Sequence, residues 1–122
     1  MTRILLVEDD QFTRELYQTL LKEEGYEVDA FADGESGFLK AVEGGYDLIL
    51  LDIMVPKKDG LTFLKELKRL KPKKENKRIV MLTVLDQDEF IKTAFRLGAD
   101  GYLMKSALTP DGVLGEVKAF LQ

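Results

Sequence analysis

Hydrophobic positions along the chain alternate between short, continuous apolar runs and longer segments in which apolar residues recur three and four positions apart. Short runs of this kind indicate buried strands, and the longer spacing indicates helices. The predicted strands are Ile4–Val7, Tyr26–Ala30, Asp47–Leu51, Ile79–Leu82 and Asp100–Met104. Strands that alternate with helices in this way predict right-handed crossovers and an α/β domain whose parallel sheet is covered on both faces.

The strands differ from one another in their patterns. Residues Tyr26–Ala30 alternate between polar and apolar, which is typical of an edge strand, whereas the first and third strands are uniformly apolar. Uniformly apolar strands lie in the centre of parallel sheets, where both faces are covered. The sequence therefore predicts the second strand at an edge of the sheet and the first and third strands in its interior.

The helical segments carry apolar stripes that we expect to face the sheet. The stripe of the first helix includes Phe12, that of the third includes Leu70, and that of the fourth includes Phe95. Gly25, Gly44-Gly45 and Gly98 follow helical segments and are predicted to end them.

Capping residues predict where three of the helices begin. Asp10 is a candidate N-cap of the first helix, and Thr109 before Pro110 is one for the last helix. Asp86 is followed three residues later by Glu89, and this spacing predicts a capping box at the start of the fourth helix.

The length and composition narrow the classes of protein. A chain of 122 residues predicts a single domain over residues 1–122, without a linker to a second one. The chain contains no Cys and no His, which excludes disulfides, thiolate metal sites and His-based catalysis. No apolar run approaches the roughly 20 residues of a membrane span, and the N-terminus is unlike a signal peptide. We therefore expect a cytoplasmic protein without a membrane partner.

Charge is distributed unevenly along the chain. Residues 1–56 carry 13 acids and 4 bases, whereas residues 57–78 carry 10 bases and 3 acids. The basic segment lacks interleaved aromatic residues, and the whole chain has a net charge of −4. We therefore predict a solvated basic face, with docking of an acidic partner as an alternative, and no direct binding of nucleic acid by this domain.

Carboxylates follow two of the predicted central strands. Glu8 and Asp9 come after the first strand, and Asp52 comes after the third. The carboxyl ends of parallel strands meet at one edge of the sheet, which is where such sheets bind ligands. Acids gathered there repel one another unless a cation joins them, so the sequence predicts a divalent metal site.

A hydroxyl and an amine complete this set, because Thr83 follows the fourth strand and Lys105 the fifth. Any one of these residues alone is most simply a solvated side chain at a strand end. For the whole set that interpretation fails, because Asp9 and Asp52 would be uncompensated like charges on neighbouring strands.

These motifs together resemble the receiver domain of bacterial two-component response regulators. The residues that carry the resemblance are 4–10, 47–60, 81–83, 98–102 and 104–105. They span nearly the whole chain in the order and at the spacing of the family. The resemblance implies a doubly wound, flavodoxin-like (βα)5 fold with a five-stranded parallel sheet in the order 2-1-3-4-5.

The resemblance also implies a chemistry for the acids. Asp52 corresponds to the phosphoacceptor, which takes a phosphoryl group from a histidine kinase or a phosphotransfer protein in a reaction that requires Mg²⁺. Asp9 and Asp52 are expected to bind Mg²⁺ directly and Glu8 to act through water, with the Met54 carbonyl as the third protein ligand. The chain is then a signalling switch, and its only reactions are self-catalysed phosphoryl transfer and slow autodephosphorylation.

The remaining residues correspond to the family's phosphate contacts and switch. Lys105 is expected to pair with a phosphate oxygen and Thr83 to donate its hydroxyl to another, while Thr83 and Tyr102 form the switch pair. Phosphorylation is expected to change the face made by helix four, strand five and helix five, which then binds a downstream effector protein or output domain. The same face could pair with a second copy of the chain when phosphorylated.

The chain departs from the family pattern at several positions near the expected phosphate, among them the branched Val84 after Thr83, where the family usually has a small residue. Met54 and Leu85 are apolar where they flank the route of an attacking water, so we predict slow loss of phosphate. Ser106 follows Lys105 where the family commonly has a proline in a cis bond, which leaves the geometry of that bond open.

Three alternatives to a phosphorylated receiver remain to be weighed. A magnesium phosphohydrolase of the haloacid-dehalogenase type carries a second Asp two residues after its nucleophile, where this chain has Met54. A flavodoxin-like cofactor binder needs Ser, Thr or Gly in its first loop, where Glu8, Asp9 and Asp10 would repel a phosphate. A pseudo-receiver, an interaction module without control by phosphorylation, would normally have lost an acid or the lysine.

Overall fold

A computed structural model describes residues 1–122 and contains one five-stranded parallel sheet in the order β2-β1-β3-β4-β5. The strands are β1 Arg3–Val7, β2 Glu27–Phe31, β3 Leu48–Leu51, β4 Ile79–Thr83 and β5 Gly101–Met104. The helices are α1 Gln11–Glu23, α2 Gly34–Glu43, α3 Gly60–Leu70, α4 Asp88–Arg96 and α5 Pro110–Leu121. The predicted fold and strand order are confirmed, and each predicted strand is present with bounds that differ by at most one residue.

Helices cover both faces of the sheet, as expected for a doubly wound fold. Within β1, Leu5 and Val7 pack into one buried cluster with side chains of α2, α3 and α4. Ile4 and Leu6 point the other way, into a second buried cluster with α1 and α5. Successive side chains of a strand point to opposite faces, so a uniformly apolar strand supplies both clusters at once.

The capping predictions are confirmed for α1 and α5 and wrong for α4. The side chains of Asp10 and Thr109 accept hydrogen bonds from backbone amides in the first turns of α1 and α5. Helix α4 begins at Asp88, and its N-cap Gln87 makes no side-chain capping hydrogen bond. Asp86 lies outside the helix, next to Leu85, whose amide and carbonyl groups hydrogen-bond the side chains of Thr83 and Tyr102.

Three apolar side chains on the predicted helix stripes are exposed. Phe12, Leu70 and Phe95 are 76%, 55% and 48% exposed, although the pattern predicts them to face the sheet. Each lies in the first or last turn of its helix, where fewer neighbouring residues cover a side chain.

None of the five helices has the length and apolar character that a span of a lipid bilayer requires.

Candidate functional site

Strand register brings the predicted site residues to one edge of the sheet, which we call the carboxyl edge because the strands end there. Val7 pairs with Leu51, so Glu8 and Asp52 leave neighbouring strands side by side, and the Asp52 amide donates to the Val7 carbonyl at 3.1 Å. Thr83 pairs with Met104 on β5, and the amide of the next residue, Lys105, donates to the Thr83 carbonyl at 2.9 Å.

Lys105 joins two of the three predicted acids. Its ammonium group hydrogen-bonds Glu8 Oε1, and its Nζ lies 2.7 Å from Asp52 Oδ2. The side chains of Glu8, Asp52 and Lys105 are only 2%, 7% and 14% exposed, so the pairing compensates charges that have largely lost their water. Asp9 is exposed, and carboxylate oxygens of Glu8, Asp9 and Asp52 lie within 4.8 Å of one another.

The charges at the carboxyl edge do not balance. Burial raises the pKa of Glu8, and the hydrogen bond and charge of Lys105 oppose this rise without cancelling it. Burial lowers the pKa of Lys105, but Asp52 and Glu8 outweigh it and leave that pKa above its ordinary value. One ammonium group, paired with Glu8 and Asp52, is therefore the only cation in contact with a cluster of three carboxyl groups. A hard cation that prefers carboxylate and carbonyl oxygens, such as Mg²⁺, fits this donor set.

The loop between β3 and α3 turns back over Asp52. The Met54 amide donates to Asp52 Oδ1 at 3.1 Å, and the Gly60 amide donates to the Ile53 carbonyl at 2.9 Å. The Met54 side chain is 56% exposed. The backbone of Met54 is thus held beside Asp52, while its side chain is largely exposed to solvent.

Thr83 and Tyr102 contact the same residue of the loop between β4 and α4. The hydroxyl of the fully buried Thr83 accepts from the Leu85 amide at 3.4 Å. The Tyr102 hydroxyl donates to the Leu85 carbonyl at 2.7 Å. The pKa of Tyr102 is raised by burial and by the charges of Asp52 and Asp86. The peptide groups of Leu85 therefore connect the two residues of the predicted switch pair.

Arg14 is a further contributor that no sequence motif indicates. Its guanidinium group donates to the carbonyl oxygens of Glu8 at 2.9 Å and Asp9 at 3.2 Å. It thereby holds the turn that presents both acids. The only hint in the sequence is a cation in the first turn of α1, one turn after the Asp10 cap.

The bond between Lys105 and Ser106 is trans, because the chain contains no cis peptide bond. This answers the question that the absence of a proline at position 106 left open. The trans bond is compatible with the hydrogen bonds that Lys105 makes to Glu8 and Asp52.

Comparison with known proteins identifies the family. The family model for the response regulator receiver domain matches residues 4–114. The chain belongs to the response regulator receiver domains. It is 34% identical to the transcriptional regulatory protein ResD of Bacillus subtilis over 99% of its own length and 48% of ResD. It is 37% identical to the chemotaxis protein CheY of Treponema pallidum over 84% of its own length and 72% of that protein.

Solved receiver structures share the whole architecture. The structure of a CheY-like receiver domain protein from Methanospirillum hungatei superposes with a TM-score of 0.85 at 31% identity, covering 99% of this chain and 94% of that one. The chain spans about half the length of ResD and 42% of the regulator RprY of Bacteroides fragilis. Nothing in these comparisons favours the pseudo-receiver alternative.

Proposed function

We propose that Asp52 accepts a phosphoryl group from a phosphohistidine of a histidine kinase or a phosphotransfer protein. The observation that supports this most directly is the contact of 2.7 Å between Lys105 Nζ and Asp52 Oδ2, beside Glu8 and Asp9 at the carboxyl edge. Asp52 follows β3, the strand next to β1, and it contacts Lys105 while lying beside Glu8 and Asp9. Its position therefore suits both attack on phosphorus and neutralisation of the product.

In the proposed reaction, a carboxylate oxygen of Asp52 attacks phosphorus and a new oxygen–phosphorus bond forms. The phosphorus–nitrogen bond breaks, and its electron pair returns to the imidazole of the donor, which leaves an acyl phosphate on Asp52. Such transfers depend mainly on positioning and on neutralising the equatorial oxygens. Lys105 pairs with one of these oxygens, and the Thr83 hydroxyl turns to donate to another.

Glu8, Asp9, Asp52 and the Met54 carbonyl are proposed to hold Mg²⁺. When bound, the ion supplies positive charge next to the transferring phosphoryl group. Arg14 supports this by holding the carbonyl groups of Glu8 and Asp9, which fixes the turn that carries both side chains.

The proposed readout passes through Leu85. When the Thr83 hydroxyl moves toward the phosphate, its hydrogen bond with the Leu85 amide breaks. The loop between β4 and α4, whose Leu85 carbonyl also accepts a hydrogen bond from Tyr102, then shifts. This is a two-state element biased by a local charge. The affected face of α4, β5 and α5 is proposed to bind an effector protein or an output domain, or a second copy of the phosphorylated chain. The kinase partner implies that the protein acts in the cytoplasm.

Intact-mass analysis after incubation with acetyl phosphate tests the proposal. We expect the wild type to gain the mass of one phosphoryl group with Mg²⁺ and little or none without it. The Asp52→Asn variant should show no gain under either condition, because an amide oxygen is a far weaker nucleophile. Asp88→Asn, a matched change of an exposed acid on α4, should behave like the wild type. A gain in Asp52→Asn, or none in the wild type with Mg²⁺, would contradict the proposal.

A further inference from the structure

A second concave site lies at the opposite edge of the sheet, where the strands begin. A cavity of about 320 Å³ opens there between the start of β1, the end of α2 and the loop between α3 and β4. Its charged lining residues are Arg3, Lys40, Lys73, Lys74 and one acid, Glu43. The four cations come from three separate parts of the sequence, so only the fold brings them together. None of them takes part in the proposed phosphoryl transfer.

Two of these cations have no carboxylate partner. Neither Lys73 nor Lys74 lies within 4.0 Å of a carboxylate oxygen. Lys40 reaches Glu43 only at 3.7 Å across an exposed pair. A favourable interaction with the helix macrodipole explains basic residues in a last turn, but Lys73 and Lys74 lie beyond α3, which ends at Leu70. The cavity therefore holds an excess of positive charge that the protein itself does not neutralise.

Backbone hydrogen bonds hold the lysine loop in place. The Gly45 amide donates to the Lys74 carbonyl at 3.2 Å, and this hydrogen bond belongs to an isolated parallel β-bridge between Gly44 and Lys74. The Asn76 side chain donates to the Ala41 carbonyl at 3.0 Å and accepts from the Tyr46 amide at 3.1 Å. A Cβ atom at Gly44 would overlap the Lys74 carbonyl oxygen. The loop is thus docked against the turn after α2, and the backbone that carries both exposed lysines is fixed at the cavity.

The types of donor indicate which anion fits. Arg3, the only arginine that lines the cavity, already has partners. Its guanidinium group stacks on the Tyr46 ring at 4.5 Å, lies 3.6 Å from Asp29 and donates to the Gly45 carbonyl. The planar fork that recognises a carboxylate with two hydrogen bonds is therefore occupied. Three lysine ammonium groups remain, and these are compact point charges that suit the oxygens of a multivalent phosphate.

The size and surroundings of the cavity favour a small ligand. Its volume is near the lower end of the range of about 300–1,000 Å³ for ligand pockets. A long nucleic acid would also have to approach a chain with a net charge of −4, and the segment 57–78 offers no aromatic side chain other than the buried Phe63 for stacking on bases. We propose that this cavity binds a compact di- or triphosphate group, either as an inorganic ion or as part of a nucleotide.

Isothermal titration calorimetry with inorganic triphosphate tests this proposal in low-salt buffer from which divalent metals have been removed. We expect one site, with an affinity that falls as salt is added because exposed charges are screened. The double variant Lys73→Gln/Lys74→Gln should bind roughly 10- to 100-fold more weakly, since it loses two charge-assisted contacts. Lys65→Gln/Lys92→Gln makes the same change in net charge at exposed lysines outside the cavity and should bind like the wild type.

Adenosine triphosphate distinguishes the two sources of the ligand: equal affinity indicates recognition of the phosphate chain, and tighter binding indicates a nucleotide. The proposal is overturned if the wild type does not bind triphosphate, or if both double variants lose affinity equally while their melting temperatures stay normal. Tighter binding of oligoglutamate or of an oligonucleotide would overturn it in favour of a macromolecular partner.

Discussion

At the scale of single residues, the two carboxylate oxygens of Asp52 have different partners. Oδ2 contacts the Lys105 ammonium group at 2.7 Å, while Oδ1 accepts from the Met54 amide at 3.1 Å. The charge of the acid is thus compensated from β5, and its orientation is fixed by its own loop. The family resemblance places the side chains of Met54 and Leu85 beside this arrangement, and both are apolar, so they offer no strong hydrogen bond to an attacking water.

We predict that polar side chains at these two positions shorten the lifetime of the phosphate. In Met54→Asn/Leu85→Glu, an amide and a carboxylate can orient a water for attack on the acyl phosphate, so release should be roughly tenfold faster or more. Release of inorganic phosphate from the phosphorylated protein measures this rate. Leu39→Asn/Leu70→Glu, the same changes at exposed leucines away from the site, should leave the rate unchanged. An unchanged or slower rate in the first variant would show that the apolar pair does not limit release.

A second prediction at this scale concerns Asp47 at the start of β3. The Arg3 amide donates to Asp47 Oδ2 at 2.8 Å, and this hydrogen bond, with the nearby Lys77, holds the pKa of Asp47 below its ordinary value. A lowered folded-state pKa adds stability above the unfolded-state pKa of about 3.9, and this is lost as the pH falls through the folded-state value. Asp47→Asn should therefore cost about 1–2 kcal/mol in unfolding free energy at pH 7.

The pH dependence distinguishes this effect from a general loss of packing. The difference in unfolding free energy between the wild type and Asp47→Asn, measured by urea denaturation, should shrink as the pH falls below about 4. Glu75→Gln, at an exposed acid without an ion pair, serves as the control and should show no such dependence. A difference that stays constant down to acidic pH would contradict the role of the charge.

At the scale of elements, the start of α2 packs directly against the loop that follows Asp52. The Gly34 amide donates to the Pro56 carbonyl at 3.1 Å, and a Cβ atom at Gly34 would overlap the Lys58 carbonyl oxygen. Lys58 in turn pairs with Glu66 of α3 and lies 4.7 Å above the Phe38 ring of α2. Helices α2 and α3 therefore clamp the loop that carries the Met54 carbonyl.

We predict opposite effects of alanine at two helical glycines. Gly34→Ala should cost about 1–3 kcal/mol of unfolding free energy, because the new methyl group pushes α2 away from the loop. At Gly115 in α5, an added Cβ atom would meet nothing within 4 Å. Gly115→Ala should therefore stabilise the protein by about 0.5–1 kcal/mol, because it lowers the conformational entropy of the unfolded chain. Thermal and urea unfolding of both variants measure these changes. Similar effects of the two substitutions would contradict close contact at Gly34.

At the scale of the whole molecule, the carboxyl edge and the cavity at the opposite edge carry an excess of opposite charges. The carboxyl edge gathers Glu8, Asp9 and Asp52 around one lysine, and the opposite edge gathers the cations of the second cavity. Like charges in each group repel, so the folded state carries an electrostatic cost at both ends. Binding of an ion of opposite charge at either end relieves that cost and stabilises the native state.

This balance predicts how Mg²⁺ and Asp9 act on global stability. Without divalent metal, Asp9→Asn should be as stable as the wild type or slightly more stable, because it removes one of three neighbouring negative charges. With Mg²⁺ at 100 times its Kd, the wild type should gain about 2.7 kcal/mol, and the variant much less at the same concentration. Melting temperatures with and without Mg²⁺ test this, with Asp88→Asn as the control. An equal gain in wild type and Asp9→Asn would exclude Asp9 as a ligand.

The sequence by itself determined the fold and the members of the candidate site. The spacing of apolar residues follows from the local geometry of helices and strands, so it predicts these elements from sequence. The carboxyl ends of parallel strands meet at one edge of a sheet, so Glu8, Asp9, Asp52, Thr83 and Lys105 could be assigned to one site from the sequence. The specific family resemblance supplied the strand order and the roles. The predictions for Asp86, Phe12, Leu70 and Phe95 were wrong, and all four residues lie at helix ends, where a local pattern carries no information about the tertiary neighbours.

Only the tertiary structure decided which groups touch. Two sets of contacts depend on how the loops pack against one another. One is the pairing of Lys105 with both Glu8 and Asp52, and the other is the hydrogen bonding of the Leu85 backbone to Thr83 and Tyr102. The same holds for Arg14 and for the cavity that joins Arg3 to Lys73 and Lys74. These contacts join residues from different elements, and distances of a few ångströms between them follow from the packing of the whole chain rather than from any local pattern.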